Sequence, residues 1–387
     1  MHPLTYTRPK VMLPIANKPI AEHLLIAAKA AGITEFIFVV GYHGETVRDY
    51  FGNGGKWGAS IEYTTQRKQL GTADALSSVE RLVSHKFLLL NGDVLIGEKE
   101  MRKLLARDDI VLSVTEVEDG GALGLVEIEG DRVVRIHEKV KTAPSNLANA
   151  GMYLLTLDIF SAIGRTERSP RGEYEITDSL QLLIDEGFCI SYEKIDGWLD
   201  VSYPWDLLEA NESLLQRIEP QNFGMVEQNV VVNGLVSIGR NTVVRANSYI
   251  AGPAAIGEGC EIGPNCYIRP GTSIGDGCHI GSAVEIKRSV IVRNTKIPHH
   301  NYVGDSVIGE GCNFGAGTKV ANLRLDKNNV SAAGIDTGGH KLGAIVGDGV
   351  QTGINACLDV GSMIGSHTYI GPGAVASGVV LPNSRIF

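Results

Sequence analysis

A six-residue aliphatic repeat in the second half constrains this chain more than any other feature. Val232, Ile238, Val244, Ile250, Ile256, Ile262, Ile268, Ile274, Ile280, Ile286 and Val292 follow one another at intervals of six, and glycine follows Ile238, Ile256, Ile262, Ile274 and Ile280. A sandwich of short strands has no reason to hold one phase for so long. A parallel β-helix requires it: each coil has three short strands, and each strand turns one aliphatic side chain inward. The phase returns at Ile308, Phe314 and Val320, and again from Val346 through Leu358, Ile364 and Ile370. Between these runs, "RNTKIPHHNYVGDSV" (Arg293–Val307) reads as an insertion into the coil and therefore as a candidate functional loop. "NLRLDKNNVSAAGIDTGGHKLGAIVG" (Asn322–Gly347) reads as a longer excursion.

The first half carries different periods. "PIANKPIAEHLLIAAKAAG" predicts a helix starting near Pro19 and stopping at Gly32, with proline in its first turn and glycine after its last. "EFIFVVG" (Glu35–Gly41) and "KFLLLNGD" (Lys86–Asp93) are short apolar runs that read as buried strands. Alternating strands and helices imply a parallel sheet flanked by helices, with ligands at the carboxyl ends of the strands. Gly41 and Asp93 fall there. "YPWDLLEANESLLQRI" (Tyr203–Ile218) predicts a connecting helix. With the boundary near Glu219–Gly224, the expected domains are residues 1–220 and 221–387.

At 387 residues the chain is too long for one ordinary core, which agrees with two domains. A net charge of −9 disfavours nonspecific binding to nucleic acid or acidic membranes. No apolar run reaches membrane-spanning length and the N-terminus lacks a signal-peptide core, so the expected location is the cytoplasm. There are six cysteines and no Cys-x-x-Cys pair. Cys260, Cys266, Cys278 and Cys312 share one phase of the repeat and read as small buried side chains rather than as disulfides or metal ligands.

"PLTYTRPKVMLPIANKPI", "QRKQLGTADAL", "NGDVL", "IHEKV", "NAGMY", "GEYEITD" and "WLDVSYPWDLLEAN" occur in this order. This ordered set resembles the sugar-1-phosphate nucleotidylyltransferases. With the hexapeptide tail, nearly the whole chain is similar to bifunctional enzymes that combine uridylyl- or thymidylyltransferase and amino-sugar-phosphate acetyltransferase activities, the archaeal type above all. The resemblance implies a Rossmann-like α/β nucleotidyltransferase domain followed by a left-handed parallel β-helix, an exception to the usual crossover hand. In that family a buried strand and a loop, L-A-A-G-x-G-T-R, precede the opening stretch. The expectation is that this first strand is missing, either through a misassigned start or as a real loss that weakens the first domain. Losing about five buried aliphatic side chains would forfeit on the order of 10 kcal/mol.

For the first site the resemblance implies attack of a sugar-1-phosphate oxygen on the α-phosphate of a nucleoside triphosphate, chemistry that needs positioning and charge neutralisation more than acid–base work. Lys10, in "RPK", is the candidate cation. Asp93 and Asp200 match the aspartates that hold Mg²⁺. Gln66, Gln69, Gly71 and Thr72 match the base-reading segment, which leaves UTP and dTTP both open because uracil and thymine differ by one methyl. Gly124, Glu138, Lys139 and Asn149 match sugar- and phosphate-binding positions. Val140 departs from the family pattern, which often has proline there.

For the second site the resemblance makes His299, three residues before Tyr-Val-Gly-Asp, the general base that takes a proton from an amine attacking acetyl-CoA. His300 is adjacent but off the motif. Arg269 and Lys287 match sugar-phosphate cations, and their separation of 18 residues, one coil, stacks them on one side. Tyr302, Asn313 and Asn322 match further sugar contacts. Ala316 falls near the same pocket, and Lys341 is a candidate for the coenzyme A phosphates. The coenzyme site in such proteins lies between neighbouring β-helices, which implies a homotrimer. Two other readings stand beside this one: a nucleotidylyltransferase with a purely structural β-helix, and a regulatory or scaffold trimer without turnover.

Overall fold

The computed structural model describes residues 1–117, 123–138 and 145–387. It divides into two compact units, Ala21–Asp200 and a second formed by Met1–Ile20 with Val201–Phe387. Among the described residues no helix is long and apolar enough to cross a membrane.

In the Ala21–Asp200 unit, the predicted helix runs Ile20–Ala30 and ends where the main chain turns left-handed at Gly32, φ 104°. Glu35–Val40 pairs in parallel with Ser60–Thr65. The larger sheet has six strands in the order Phe87–Leu90, Leu147–Leu155, Ile110–Glu116, Ile190–Lys194, Arg132–His137, Leu125–Glu129. It is mixed rather than purely parallel. Ile190–Lys194 runs parallel to Ile110–Glu116, but the long strand Leu147–Leu155 runs antiparallel to both of its neighbours. That strand is buried along nearly its whole length, and Met152, Tyr153, Leu154 and Leu155 are almost fully enclosed. Its pairing slips between Asn149 and Tyr153, a bulge built around Gly151 with φ 74°. Bulges of this kind re-aim a side chain at a site.

The other unit is a parallel β-helix of three faces with nine, nine and eight strands. The six-residue repeat lines its interior. Ile238, Ile256, Ile274, Ile291, Ile308, Val346 and Ile364 stack along one face in register. The eleventh member of the expected series is corrected: Ile291, not Val292, pairs with Ile274, because the step from Ile286 is one residue short. Val232 is exposed, being on the terminal coil. The "insertion" at Arg293–Val307 is likewise corrected. Lys296–His299 and Tyr302–Gly304 are regular strands, and Ile297, Val303 and Ile308 continue the interior stack with another shortened step. The true insertion lies between Val320 and Ala344. It holds a small antiparallel pair, Ser331–Ala332 with Ile335–Asp336, closed at its base by a bridge from Leu323 to Lys341.

Cys260, Cys266, Cys278 and Cys312 sit two residues before inward positions, where other coils carry threonine or serine. Thr242 Oγ1 donates to the Gly257 carbonyl of the next coil at 2.7 Å, and Cys260 Sγ makes the same contact to Gly275 at 3.1 Å. All six cysteines are free thiols. Burial pushes the thiol of Cys266 up to about 11 and those of Cys278 and Cys312 up to about 12. They are packing residues, as the repeat implied.

Candidate functional sites

On the β-helix, Glu285–Lys287, Tyr302–Gly304, Lys319–Val320, Cys357–Leu358 and Val375–Ala376 are successive rungs of one face. Inward side chains alternate with outward ones along each strand, so these rungs present Glu285, Tyr302, Lys319, Cys357 and Val375 outward in a column. The hub at its edge is Asp305. Its side chain is 1% exposed, yet Lys287 Nζ lies 3.0 Å from one carboxylate oxygen and Arg288 Nη1 3.5 Å from the other. Asn322 Nδ2 donates to the same carboxylate and, at 3.2 Å, to the Tyr302 hydroxyl. Asp305 holds φ 49°, the left-handed corner conformation that recurs along the coils at Asn265, Ala283, Arg288 and His300 and that aspartate adopts more readily than most residues. Gly304 leaves room for Tyr302 and Asn322: a Cβ there would lie 2.6 Å from the Tyr302 hydroxyl and 2.7 Å from Asn322 Nδ2, so a larger residue would push these side chains aside.

Lys287, Tyr302 and Asn322 therefore converge. Arg269 stacks one coil below Lys287, as their spacing implied, since Ile268 pairs with Ile286. Its guanidinium is occupied by Glu285 at 2.8 Å. Both cations thus already face a carboxylate, so a phosphate bound there shares them rather than meeting bare charge. A cavity of about 340 Å³ adjoins the column, with Tyr302, Lys319, Asn322, Leu323, Cys357 and Asp359 in its wall. His299 ends its strand opposite Ser282 and is exposed. His300 occupies the left-handed corner that follows, φ 49°. Asn313 lies on the face of the His299 strand, opposite Lys296 and Gln351, and not on the Tyr302 face. The Ala316 carbonyl accepts from Asn355 N–H at 2.8 Å, and Lys341 is exposed at the base of the insertion. Asp305 and Arg288 were the residues sequence reasoning missed. The Tyr-Val-Gly-Asp motif contained the signal for Asp305, and Arg288 gave none.

In the Ala21–Asp200 unit, Gly124, Glu138 and Asn149 come together. A Cβ at Gly124 would lie 3.3 Å from Glu138 Oε2 and 3.7 Å from Asn149 Cβ. Asn149 Nδ2 donates to the Tyr153 hydroxyl at 2.7 Å, while Asn149 Oδ1 accepts from Gly151 N–H at 3.1 Å. Burial, chiefly, pushes the Tyr153 phenol above its ordinary value, so it stays neutral. Glu138 is held by Thr177 at 3.1 Å and Arg171 at 3.4 Å. Glu175 shares that arginine at 3.3 Å, and burial followed by the nearby Glu138 raises its carboxyl above the usual range. Arg171, Glu175 and Thr177 are the support that sequence reasoning left unassigned within and beside "GEYEITD". Lys139 lies outside the described residues.

The segment Gln66–Thr72 is self-braced. Gln66 Nε2 donates to the Gly71 carbonyl at 3.0 Å and to Asp74 at 2.8 Å, and Thr72 Oγ1 accepts from Ile176 N–H at 2.9 Å. Gly71 has φ 115°, and a Cβ there would lie 2.4 Å from the Tyr174 carbonyl oxygen. Close packing on Tyr174 thus demands glycine independently of any base. Gln69 lies beside Gly41, with Nε2 3.5 Å from where a Cβ on that glycine would be. Leu199–Asp200 pairs antiparallel with Val94–Leu95, and Asp200 stands opposite Val94. Asp93, in the turn immediately before that strand, therefore lies one residue from the position Asp200 faces, an arrangement that suits a hard cation taking one or two carboxylates plus phosphate oxygens. In the other unit, Lys10 opens a short 3₁₀ turn, Lys10–Met12, and is half-buried.

Comparison with known proteins agrees with this layout. The nucleotidyl transferase family pattern matches residues 1–217, and the GMPPB C-terminal domain pattern matches 250–386. A bifunctional protein GlmU of Methanococcus maripaludis is 43% identical over 395 residues, covering 100% of this chain and 94% of that protein. A bifunctional sugar-1-phosphate nucleotidylyltransferase/acetyltransferase of Sulfurisphaera tokodaii is 37% identical, covering 97% of this chain and 94% of its own length. A crystal structure from Bacillus anthracis, assigned as a glucose-1-phosphate thymidylyltransferase and solved with sucrose, superposes with a TM-score of 0.52 at 27% identity, covering 57% of this chain and 92% of that one. The chain belongs to the nucleotidyl transferase family, and these two archaeal relatives, matched over nearly their full length, are named as bifunctional proteins.

Proposed function

We propose that the chain is a bifunctional enzyme of nucleotide-sugar biosynthesis that N-acetylates an amino-sugar-1-phosphate and transfers a nucleotidyl group from UTP or dTTP to a sugar-1-phosphate. The observation that carries the acetyltransferase half is the Asp305 hub beside a cavity on one β-helix face. That hub gathers Lys287, Arg288 and Asn322 at the edge of an open cavity, which suits binding of a sugar phosphate. In the acetyl reaction His299 takes the proton from the sugar amine as its nitrogen attacks the acetyl-CoA thioester carbonyl, and the thiol leaves. Lys287 and Arg269 hold the sugar phosphate, while Tyr302, Asn313 and Asn322 hold the sugar. Ala316 and Lys341 lie on the coenzyme side. Asn313 faces away from Tyr302 within one chain, which favours a homotrimer in which neighbouring copies complete each site.

In the nucleotidyl reaction Lys10 neutralises phosphate charge, Gln66, Gln69, Gly71 and Thr72 form the base-reading segment, and Gly124, Glu138, Lys139 and Asn149 bind the sugar phosphate. Asp93 and Asp200 would hold Mg²⁺, which supplies charge neutralisation on the phosphates when bound. The enzyme works in the cytoplasm. The test is a paired assay on the full chain: pyrophosphate release from UTP or dTTP with a sugar-1-phosphate, and thiol release from acetyl-CoA with glucosamine-1-phosphate. Activity in both supports the reading. Thiol release no faster than in the absence of enzyme would leave the β-helix as scaffold.

A further inference from the structure

The segment that carries Lys10 is pinned to the β-helix on both of its sides. On the near side, Arg8 Nη2 bridges two carboxylates, Glu310 at 2.9 Å and Asp348 at 2.5 Å. Thr7 Oγ1 also donates to Asp348. These side chains are mostly enclosed, with exposures of 15% for Arg8, 24% for Glu310 and 12% for Asp348, so solvent screens them weakly. On the far side, Ala16 and Asn17 form a left-handed turn. Asn17 Nδ2 donates to the Ile274 carbonyl at 2.8 Å, and Ala16 N–H donates to Asn211 Oδ1 at 2.9 Å. Asn211 is fully buried and donates in turn to the Gly271 carbonyl at 2.9 Å.

We infer that Glu310 and Asp348 are positioning residues for nucleotidyl transfer: through Arg8 they fix the backbone that presents Lys10. At the corner equivalent to 348, Asp276 accepts the Glu258 N–H at 2.7 Å. The Asp348 carboxylate adds an acceptor for Arg8 on one oxygen while the other takes the Glu310 N–H at 2.7 Å. The inference rests on the reading of Lys10 as the phosphate-neutralising cation.

The test uses the full chain and measures both activities on each variant. Asp348→Asn keeps the acceptor for the Glu310 N–H, and Glu310→Gln/Asp348→Asn removes the two charges that face Arg8, one of which the exposed Arg293 also meets at 2.8 Å, so Arg293→Gln is run beside it as the control for that second pair. The expected result for the double variant is a kcat for pyrophosphate release lowered about tenfold or more, since small misplacements of a positioned group cost that much. Thiol release from acetyl-CoA stays within twofold. Arg8→Lys retains more nucleotidyl transfer than Arg8→Ala. The Lys10→Ala variant separates the two possible failures. If Lys10→Ala abolishes nucleotidyl transfer and the double variant leaves it within twofold of wild type, the positioning role is overturned while the reading of Lys10 stands. If Lys10→Ala is itself active, the reading falls and takes the inference with it. A parallel loss of both activities in the double variant also overturns the inference, since it marks a general fold defect.

Discussion

Asp305→Asn is the most informative single perturbation of the β-helix. The substitution keeps the shape, and asparagine tolerates the left-handed φ of 49° at this corner. It removes the charge that Lys287 at 3.0 Å and Arg288 at 3.5 Å oppose in a site where the carboxylate is 1% exposed. Breaking a buried ion pair by removing one partner costs about 3–5 kcal/mol. The two cations are partly solvated, with exposures of 19% and 31%, which places the cost near the lower end. A loss of about 3 kcal/mol in a unit of this size lowers the midpoint of thermal unfolding by roughly 6–12 °C. Lys287 also loses its orientation, so thiol release falls about tenfold, the weight of one charge-assisted hydrogen bond. The assays are a melting scan and the paired turnover measurement, with nucleotidyl transfer as the control. A variant that melts within one degree of wild type and acetylates at the wild-type rate would show the hub to be electrostatically idle and sink this reading of Asp305.

Three further outcomes follow from local geometry. A Cβ at Gly71 meets the Tyr174 backbone at 2.4 Å in a left-handed conformation, so Gly71→Ala displaces the segment and lowers nucleotidyl transfer while thiol release is kept. Burial holds the thiols of Cys260, Cys266, Cys278 and Cys312 protonated, so a thiol reagent titrates Cys189 and Cys357 quickly and the other four only after denaturation. Fast reaction of more than two thiols would contradict the packing described. Glu175 has its carboxyl raised in the fold, so its protonated form is favoured; stability is fully present below the ordinary value of 4.5 and is lost as pH rises through the folded value. Melting scans of Glu175→Gln across that range should show a smaller loss with rising pH than wild type, and an equal loss would place the cause elsewhere.

The β-helix was legible because its interior has one geometric rule. Each inward position needs an aliphatic residue, and a phase sustained from Ile238 to Ile286 is what stacked coils of fixed length impose. The same rule misled where coils shorten. Val292 continues the arithmetic, but Ile291 fills the interior, because a coil can drop a corner residue without breaking its ladder. The reading of Arg293–Val307 as an insertion failed for the same reason. Motif matching located Lys287, Tyr302 and Asn322, but it could not show that Asp305 gathers Lys287, Arg288 and Asn322, since that convergence joins separate coils. In the first half, alternating strand and helix signals implied a parallel sheet. They could not reveal the antiparallel strand Leu147–Leu155, whose direction is set by the connections around it rather than by its own composition.

One chain carrying two chemistries, the second of them on the β-helix, is the proposal on which the rest depends. His299→Ala, assayed in the full chain beside His300→Ala, probes it at the reacting atoms. The expected result is that His299→Ala lowers thiol release from acetyl-CoA by about 10²–10⁴-fold, the weight of a general base. Pyrophosphate release stays within twofold, and His300→Ala acetylates near the wild-type rate. Undiminished thiol release from His299→Ala would contradict the proposal and return that histidine to an ordinary surface position at a β-helix corner.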